Sequence, residues 1–203
     1  MLSGSGLSYG LDLFLRKEAG AVTGWISASF LEADRTFPDP LSPYQPTPEI
    51  SYPPVFDRRL DLDVVLNFPA PRGWDAGLRW NFGTGIPYTR ALGSYAYYSP
   101  RLVSGGGLEW AGAKDQNGPS RDYGVLLEPR NGTRFPPYHR LDLSLRKVFV
   151  KGWGTLAPYL DVLNVYNQRN PLFYFYEYDK NPPVRSGVSM FPVLPTVGLE
   201  VTF

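Results

Sequence analysis

The sequence predicts an all-β chain: about seven antiparallel strands running up and down as part of a transmembrane barrel wall, too few to close it. Three observations predict this. Apolar and polar residues alternate in segment after segment, the period-two pattern of a strand with one greasy face and one polar face. The connections between those segments are short and long in turn. The composition, with 14 Tyr, 12 Phe, 5 Trp, 21 Gly and 21 Pro in 203 residues, favours strands and turns over helices.

Each element follows from this pattern. Leu7, Tyr9, Leu11, Leu13 and Leu15 form the first apolar row, with Ser8, Gly10, Asp12 and Arg16 opposite. Glu18-Ala19-Gly20 is a short turn. Val22, Gly24, Ile26, Ala28 and Phe30 make the second row against Thr23, Ser27 and Ser29. A Pro-rich connection runs from about Glu32 to Asp57, where Pro38, Pro40, Pro43, Pro46, Pro48, Pro53 and Pro54 disfavour ladder or helix over much of the segment. The third strand is the clearest, with Leu60, Leu62, Val64, Leu66 and Phe68 against Asp61, Asp63, Val65 and Asn67. Pro69 to Gly73 reverses the chain tightly. Trp74, Ala76, Leu78, Trp80 and Phe82 then face Asp75, Gly77, Arg79, Asn81 and Gly83.

A second long connection, from about Thr84 to Pro137, is rich in Gly, Tyr and Ser. Leu141, Leu143 and Leu145 resume the alternation against Arg140, Asp142, Ser144 and Arg146, and Lys151-Gly152 turns the chain. The sixth strand is expected from Thr155 to about Tyr166, with Pro158 near its start or at a bulge. A third long connection reaches about Phe191. The last strand alternates Val197, Leu199, Val201 and Phe203 with Gly198, Glu200 and Thr202.

Short turns on one side and long loops on the other are the habit of outer-membrane barrels. Aromatic residues gather near the row ends: Phe68, Trp74, Phe149, Trp153 and Phe203 on the short-turn side, and Phe30, Trp80, Phe82 and Tyr88 toward the long loops. Two such bands correspond to interfacial girdles. A soluble sandwich accommodates mid-strand charges such as Asp12, Asp61, Asp63, Asp75, Arg79, Asp142 and Arg146 equally well, but has no reason to keep the loop asymmetry.

Net charge is +1, so there is no bulk electrostatic case for nucleic acid. There is no Cys, which excludes disulfides and thiolate metal sites, and the single His139 excludes a multi-histidine centre within the chain. No apolar run reaches the ~18 residues of a membrane helix, whereas a barrel strand needs only about 9–11 alternating residues. Met1-Leu2-Ser3-Gly4-Ser5-Gly6 lacks the basic region and apolar core of a signal peptide, so either an export signal lies upstream or the membrane reading fails.

Four segments, in order, resemble the C-terminal part of the barrel of TonB-dependent outer-membrane receptors. They are Phe82-Gly83-Thr84-Gly85-Ile86-Pro87-Tyr88-Thr89, Pro136-Pro137-Tyr138-His139-Arg140-Leu141-Asp142, Tyr159-Leu160-Asp161-Val162-Leu163-Asn164-Val165-Tyr166-Asn167, and the strand ending in Phe203. The resemblance spans nearly the whole chain. It implies residence in the bacterial outer membrane, a barrel of 22 strands around an N-terminal plug, and uptake of a scarce ligand (of siderophore, cofactor or oligosaccharide class) energised through TonB. It also implies that Val197, Leu199, Val201 and Phe203 are read by the barrel assembly machinery. No plug, TonB box or export signal is found, and seven strands fall short of the even number, at least eight, of a bacterial single-chain barrel. Residues 1–203 are therefore expected to be the C-terminal portion of a receptor, reaching TonB only through the missing N-terminal part and transporting nothing alone.

Catalysis is the rival class. His139 and Asp142 are three apart on a strand and so face opposite ways, and no G-x-S-x-G elbow is present. Asp61 and Asp63 share a face, as two glycosidase carboxylates would, but lumenal solvation explains them. Ser104-Gly105-Gly106-Gly107 lacks the Lys and strand-to-helix context of a phosphate loop. Asn131-Gly132-Thr133 matches a glycosylation acceptor, a pattern common by chance. Tyr95, Tyr97, Tyr98, Tyr174 and Tyr176 are candidate loop aromatics for stacking on a small-molecule or oligosaccharide ligand, although strand extension explains Leu172 to Tyr178 more simply. The expectation is a non-enzymatic membrane protein without cofactor. The alternatives are a small outer-membrane barrel with hydrolase activity and a soluble carbohydrate-binding β-sandwich.

Overall fold

The computed structural model describes residues 3–39, 48–97, 99–102, 108–111, 122–177 and 184–203. The strands are β1 (Ser5–Lys17), β2 (Thr23–Pro38), β3 (Glu49–Tyr52), β4 (Leu60–Ala70), β5 (Trp74–Gly83), β6 (Pro87–Tyr88), β7 (Ala91–Tyr97), β8 (Ser99–Leu102), β9 (Leu108–Ala111), β10 (Asp122–Leu127), β11 (Thr133–Arg134), β12 (Tyr138–Arg146), β13 (Phe149–Lys151), β14 (Gly154–Leu163), β15 (Pro171–Glu177), β16 (Val184–Ser189) and β17 (Leu194–Thr202). No α-helix occurs among the described residues.

One curled, half-barrel antiparallel sheet dominates. Its wall is the sequence β1-β2-β4-β5-β12-β14-β17, each strand hydrogen-bonded to the one before it. These are the seven segments whose alternation predicts strands. Short β3 and β13 extend the sheet beside β2 and β14. The short connections lie at residues 18–22, 71–73 and 147–153, and all fall at one end of the wall. The long ones, at residues 39–59, 84–137 and 164–193, fall at the other. The long segments carry hairpins of their own, β7 with β10, β6 with β11, β8 with β9 and β15 with β16.

The register sorts the side chains. Leu15, Ile26, Val64, Trp80 and Leu141 lie in one row across five strands. Leu66, Leu78, Leu143 and Val162 form the next row, and Phe68, Ala76, Leu145, Leu160 and Val197 another. Paired residues of an antiparallel ladder share a face, so the apolar rows of seven separate segments join into one surface. That surface is uncovered: Leu11 is 72% exposed, Leu13 54% and Val197 79%. Leu60, Leu62, Val64 and Leu66 are half-exposed and belong to no packed interior. Among the described residues only Ala33, Tyr52 and Ala157 are buried hydrophobic side chains.

Three details depart from expectation. Strand β2 runs on to Pro38, because β1 and β2 pair as one long hairpin past the point where Glu32 and Asp34 interrupt the apolar row. Strand β14 stops at Leu163, where Asn164 takes φ 53° and turns the chain. Pro158 lies within β14 rather than at its start. The Lys147 N–H donates to its carbonyl at 3.2 Å, but Pro158 has no N–H to return the bond, and the ladder breaks between β12 and β13 without a change of register.

Candidate functional site

The polar face of the wall and the loop cluster at its long-connection end carry the charged and hydrogen-bonding chemistry. Across the polar face run rows such as Asp12, Ser29, Asp61, Gly83 and Tyr138, then Asn67, Gly77, Ser144 and Asp161. Some of the charges are paired along the sheet. Asp142, 9% exposed, accepts from Arg140 Nε and Nη2 at 3.0 and 2.8 Å and from the Asn164 N–H at 2.9 Å. Arg146 meets Glu200 at 2.6 Å, and Arg58 meets Asp61 at 3.3 Å. The face is not uniformly polar: Phe14 and Trp25 pack on it with ring centroids 5.9 Å apart.

The predicted opposition of His139 and Asp142 holds. His139 pairs with Phe82 and Asp142 with Arg79, so their side chains leave opposite faces. The His139 ring meets the Tyr166 hydroxyl at 3.0 Å, a rim contact to the following turn. Asp61 and Asp63 do share the polar face.

Above the wall, Asp57 is fully buried. Its Oδ1 accepts the Ala33 N–H at 3.0 Å, and its Oδ2 accepts Arg59 Nε at 3.1 Å and Arg134 Nη2. Arg134 Nη1 also donates to the carbonyls of Asp57 at 2.6 Å and Gly85 at 3.1 Å, and Arg59 reaches Glu32 at 2.5 Å. The carboxylate thus ties β2, the segment before β4 and β11 together, and Arg134 adds the turn after β5. Beside it, Tyr88, Phe135 and Tyr174 form a ring cluster. Centroids of Tyr88 and Phe135 are 4.3 Å apart, and Phe135 stacks on Tyr174 at 5.0 Å. The Arg185 guanidinium lies 4.4 Å from the Tyr174 ring centre and donates to the Tyr88 hydroxyl at 3.3 Å. Tyr88 therefore joins two loops rather than a band on the wall.

Of the other predicted aromatics, Tyr95 and Tyr97 lie on a separate hairpin, whereas Tyr176 stays beside Tyr88 and Arg185 of the cluster. Tyr95 is 56% exposed on β7, directly opposite Gly124. Burial pushes the Tyr176 hydroxyl above its ordinary pKa, and the Tyr88 and Arg185 side chains also act on it. Tyr97 pairs through its backbone with Asp122, while Tyr98 lies outside the described residues, as does Ser104-Gly105-Gly106-Gly107. The four residues of the terminal row lie along the uncovered apolar side: Val197 pairs with Leu160, Leu199 with Pro158 and Val201 with Leu156, and Phe203 is 99% exposed.

Buried asparagines organise the loop bases, and sequence reasoning missed them. Asn164, 1% exposed, donates to the Gln168 and Phe191 carbonyls at 2.9 and 3.0 Å. Asn170 exchanges two bonds with the His139 backbone. Asn131, which opens the glycosylation-like triplet, is 8% exposed and spends its Nδ2 on the Pro53 carbonyl at 2.7 Å. Asn131, Asn164 and Asn167 all take positive φ, which Asn tolerates better than most residues. A cavity of about 560 Å³ opens beside Asn164, between Tyr138, Arg140 and Leu163 of the wall and Leu172, Met190 and Phe191 of the last long connection. Its mix of apolar walls and a few donors suits a small molecule in size and kind. Among the described residues, no group of three or more His, Cys, Asp or Glu could hold a metal.

No family model matches the chain, no curated protein matches it, and no solved structure matches it.

Proposed function

We propose that the chain is the C-terminal wall of a non-enzymatic outer-membrane receptor of the TonB-dependent kind, working in uptake of a scarce small-molecule or oligosaccharide ligand. One observation carries this reading: a single apolar face, continuous across the strands and uncovered. Each Leu or Val left in water forgoes about 1.5–3 kcal/mol of burial, and exposed apolar patches of this extent belong to interfaces or membranes. Lipid covers such a face at no cost, while the charged rows opposite require water. The four receptor-like segments then supply the kind of barrel. In this reading the long connections and the polar face meet the ligand, TonB is engaged through the parent protein's N-terminal part, and the row ending in Phe203 presents itself to the assembly machinery.

Cell fractionation tests the proposal. The parent protein is expected in the outer-membrane fraction, migrating faster on gels before heating than after, and deletion of Phe203 is expected to reduce the yield of that heat-modifiable form. A chain recovered as a soluble monomer without detergent contradicts the membrane placement; an unchanged yield without Phe203 contradicts the role of the last strand.

A further inference from the structure

The apolar face ends differently at its two edges. At the short-turn end, lysines take over its rows. Lys17 follows Leu15 in the same register of β1, and Lys147 and Lys151 follow Leu145 along β12 and β13, with Phe149 between them. Arg72 projects from the neighbouring turn at φ 63°. Lys17, Arg72 and Lys151 are exposed, and among the described residues no ion pair involves any of the four cations. The Lys147 ammonium donates to the Arg72 carbonyl and lies 5.1 Å from the Phe149 ring centre and 6.0 Å from that of Trp74. Trp153 nearby is 58% exposed. At the long-loop end the row of β2 finishes instead on Glu32 and Asp34, opposite Tyr9 and Leu7.

We infer that the short-turn rim is a docking surface for anionic phospholipid headgroups. This rests on the membrane reading above and adds its polarity. Lysines that continue a greasy row can keep their alkyl stems in hydrocarbon while their ammonium groups reach the headgroup layer. Aromatic rings beside them suit the same depth. Each cation near an anionic surface favours binding by about five-fold, and among the described residues this rim offers four without an ion pair, against Asp75, while Glu18 of the first turn is matched by Arg16. At the opposite edge the β2 row ends on Asp34 and on Glu32, the latter neutralised by Arg59, so this edge offers no matching cluster of cations in the row.

Flotation of the full-length parent protein with lipid vesicles tests the inference. One set is phosphatidylcholine alone, the other contains about 30% phosphatidylglycerol. Partition into the anionic vesicles is expected to be roughly tenfold or more greater at low salt and to converge with the neutral value at high salt. Replacing Lys17, Arg72, Lys147 and Lys151 by Gln should abolish the preference without lowering partition into neutral vesicles. Replacing the three lysines by Arg should retain it. Equal partition of the unaltered chain into both vesicles, or a preference that survives the Gln replacements, overturns the lipid assignment while leaving the membrane reading intact. Flotation with neither overturns both.

Discussion

A buried carboxylate is tolerable only when its charge is matched, and Asp57 is matched by two guanidinium groups and a backbone N–H. Asp57→Ala removes the carboxylate partner of Arg134, leaves Arg59 with Glu32 alone and orphans the Ala33 N–H. The expected loss is about 1–3 kcal/mol of stability, measured by urea unfolding in detergent; an unchanged midpoint would mean that the clamp holds nothing. Glu128 acts at the same scale. Burial pushes its carboxyl upward, but the Thr133 hydroxyl, the Arg90 N–H and the Arg90 guanidinium hold it below the usual range. A depressed carboxyl stabilises the fold above its unfolded pKa, and that contribution fades as pH falls through the folded value. The segment around β10 should therefore lose amide-exchange protection, measured against the intrinsic rate at each pH, as pH falls through the folded value, and Glu128→Gln should remove that dependence. Neither group was legible in the sequence. Asp57 and Arg134 are 77 positions apart, and no local pattern links a lone Asp in a Pro-rich stretch to an Arg beside a short strand.

Strands were the legible level, because period-two alternation is local and register only had to join what each segment already displayed. Their ends were less so. Strand β2 outlasted its apolar row because a hairpin ladder needs backbone partners, not greasy side chains. Within the long connections the alternation from Leu172 signalled β15 as a strand, while the other hairpins were hidden because Pro, Gly and Tyr there give no steady alternation. Pairing adds a feature of its own: Tyr95, Tyr159 and Tyr174 each face a glycine across the ladder, at Gly124, Gly198 and Gly187. A side chain at Gly198 would run into the Tyr159 ring. Gly198→Val is accordingly expected to cost about 1–3 kcal/mol through overpacking, read as a lower unfolding midpoint. Stability equal to the parent would show that the ring moves aside freely.

Among the described residues the molecule is a wall with almost no buried apolar core. Seven strands that alternate in direction leave β1 and β17 running the same way, each with one edge unpaired among the described residues. Antiparallel closure therefore calls for an odd number of further strands, and open edges are not tolerated in lipid. Which face meets oil decides everything built on this geometry. The chain has no native Cys, so single cysteines at positions 61, 62, 63 and 64 can each carry a nitroxide in vesicle-reconstituted protein. If the apolar face meets lipid, labels at Leu62 and Val64 will collide with dissolved oxygen and resist a water-soluble paramagnetic complex, while labels at Asp61 and Asp63 will do the reverse. Loss of that alternation, with all four labels wet or all four shielded from both reagents, would contradict it.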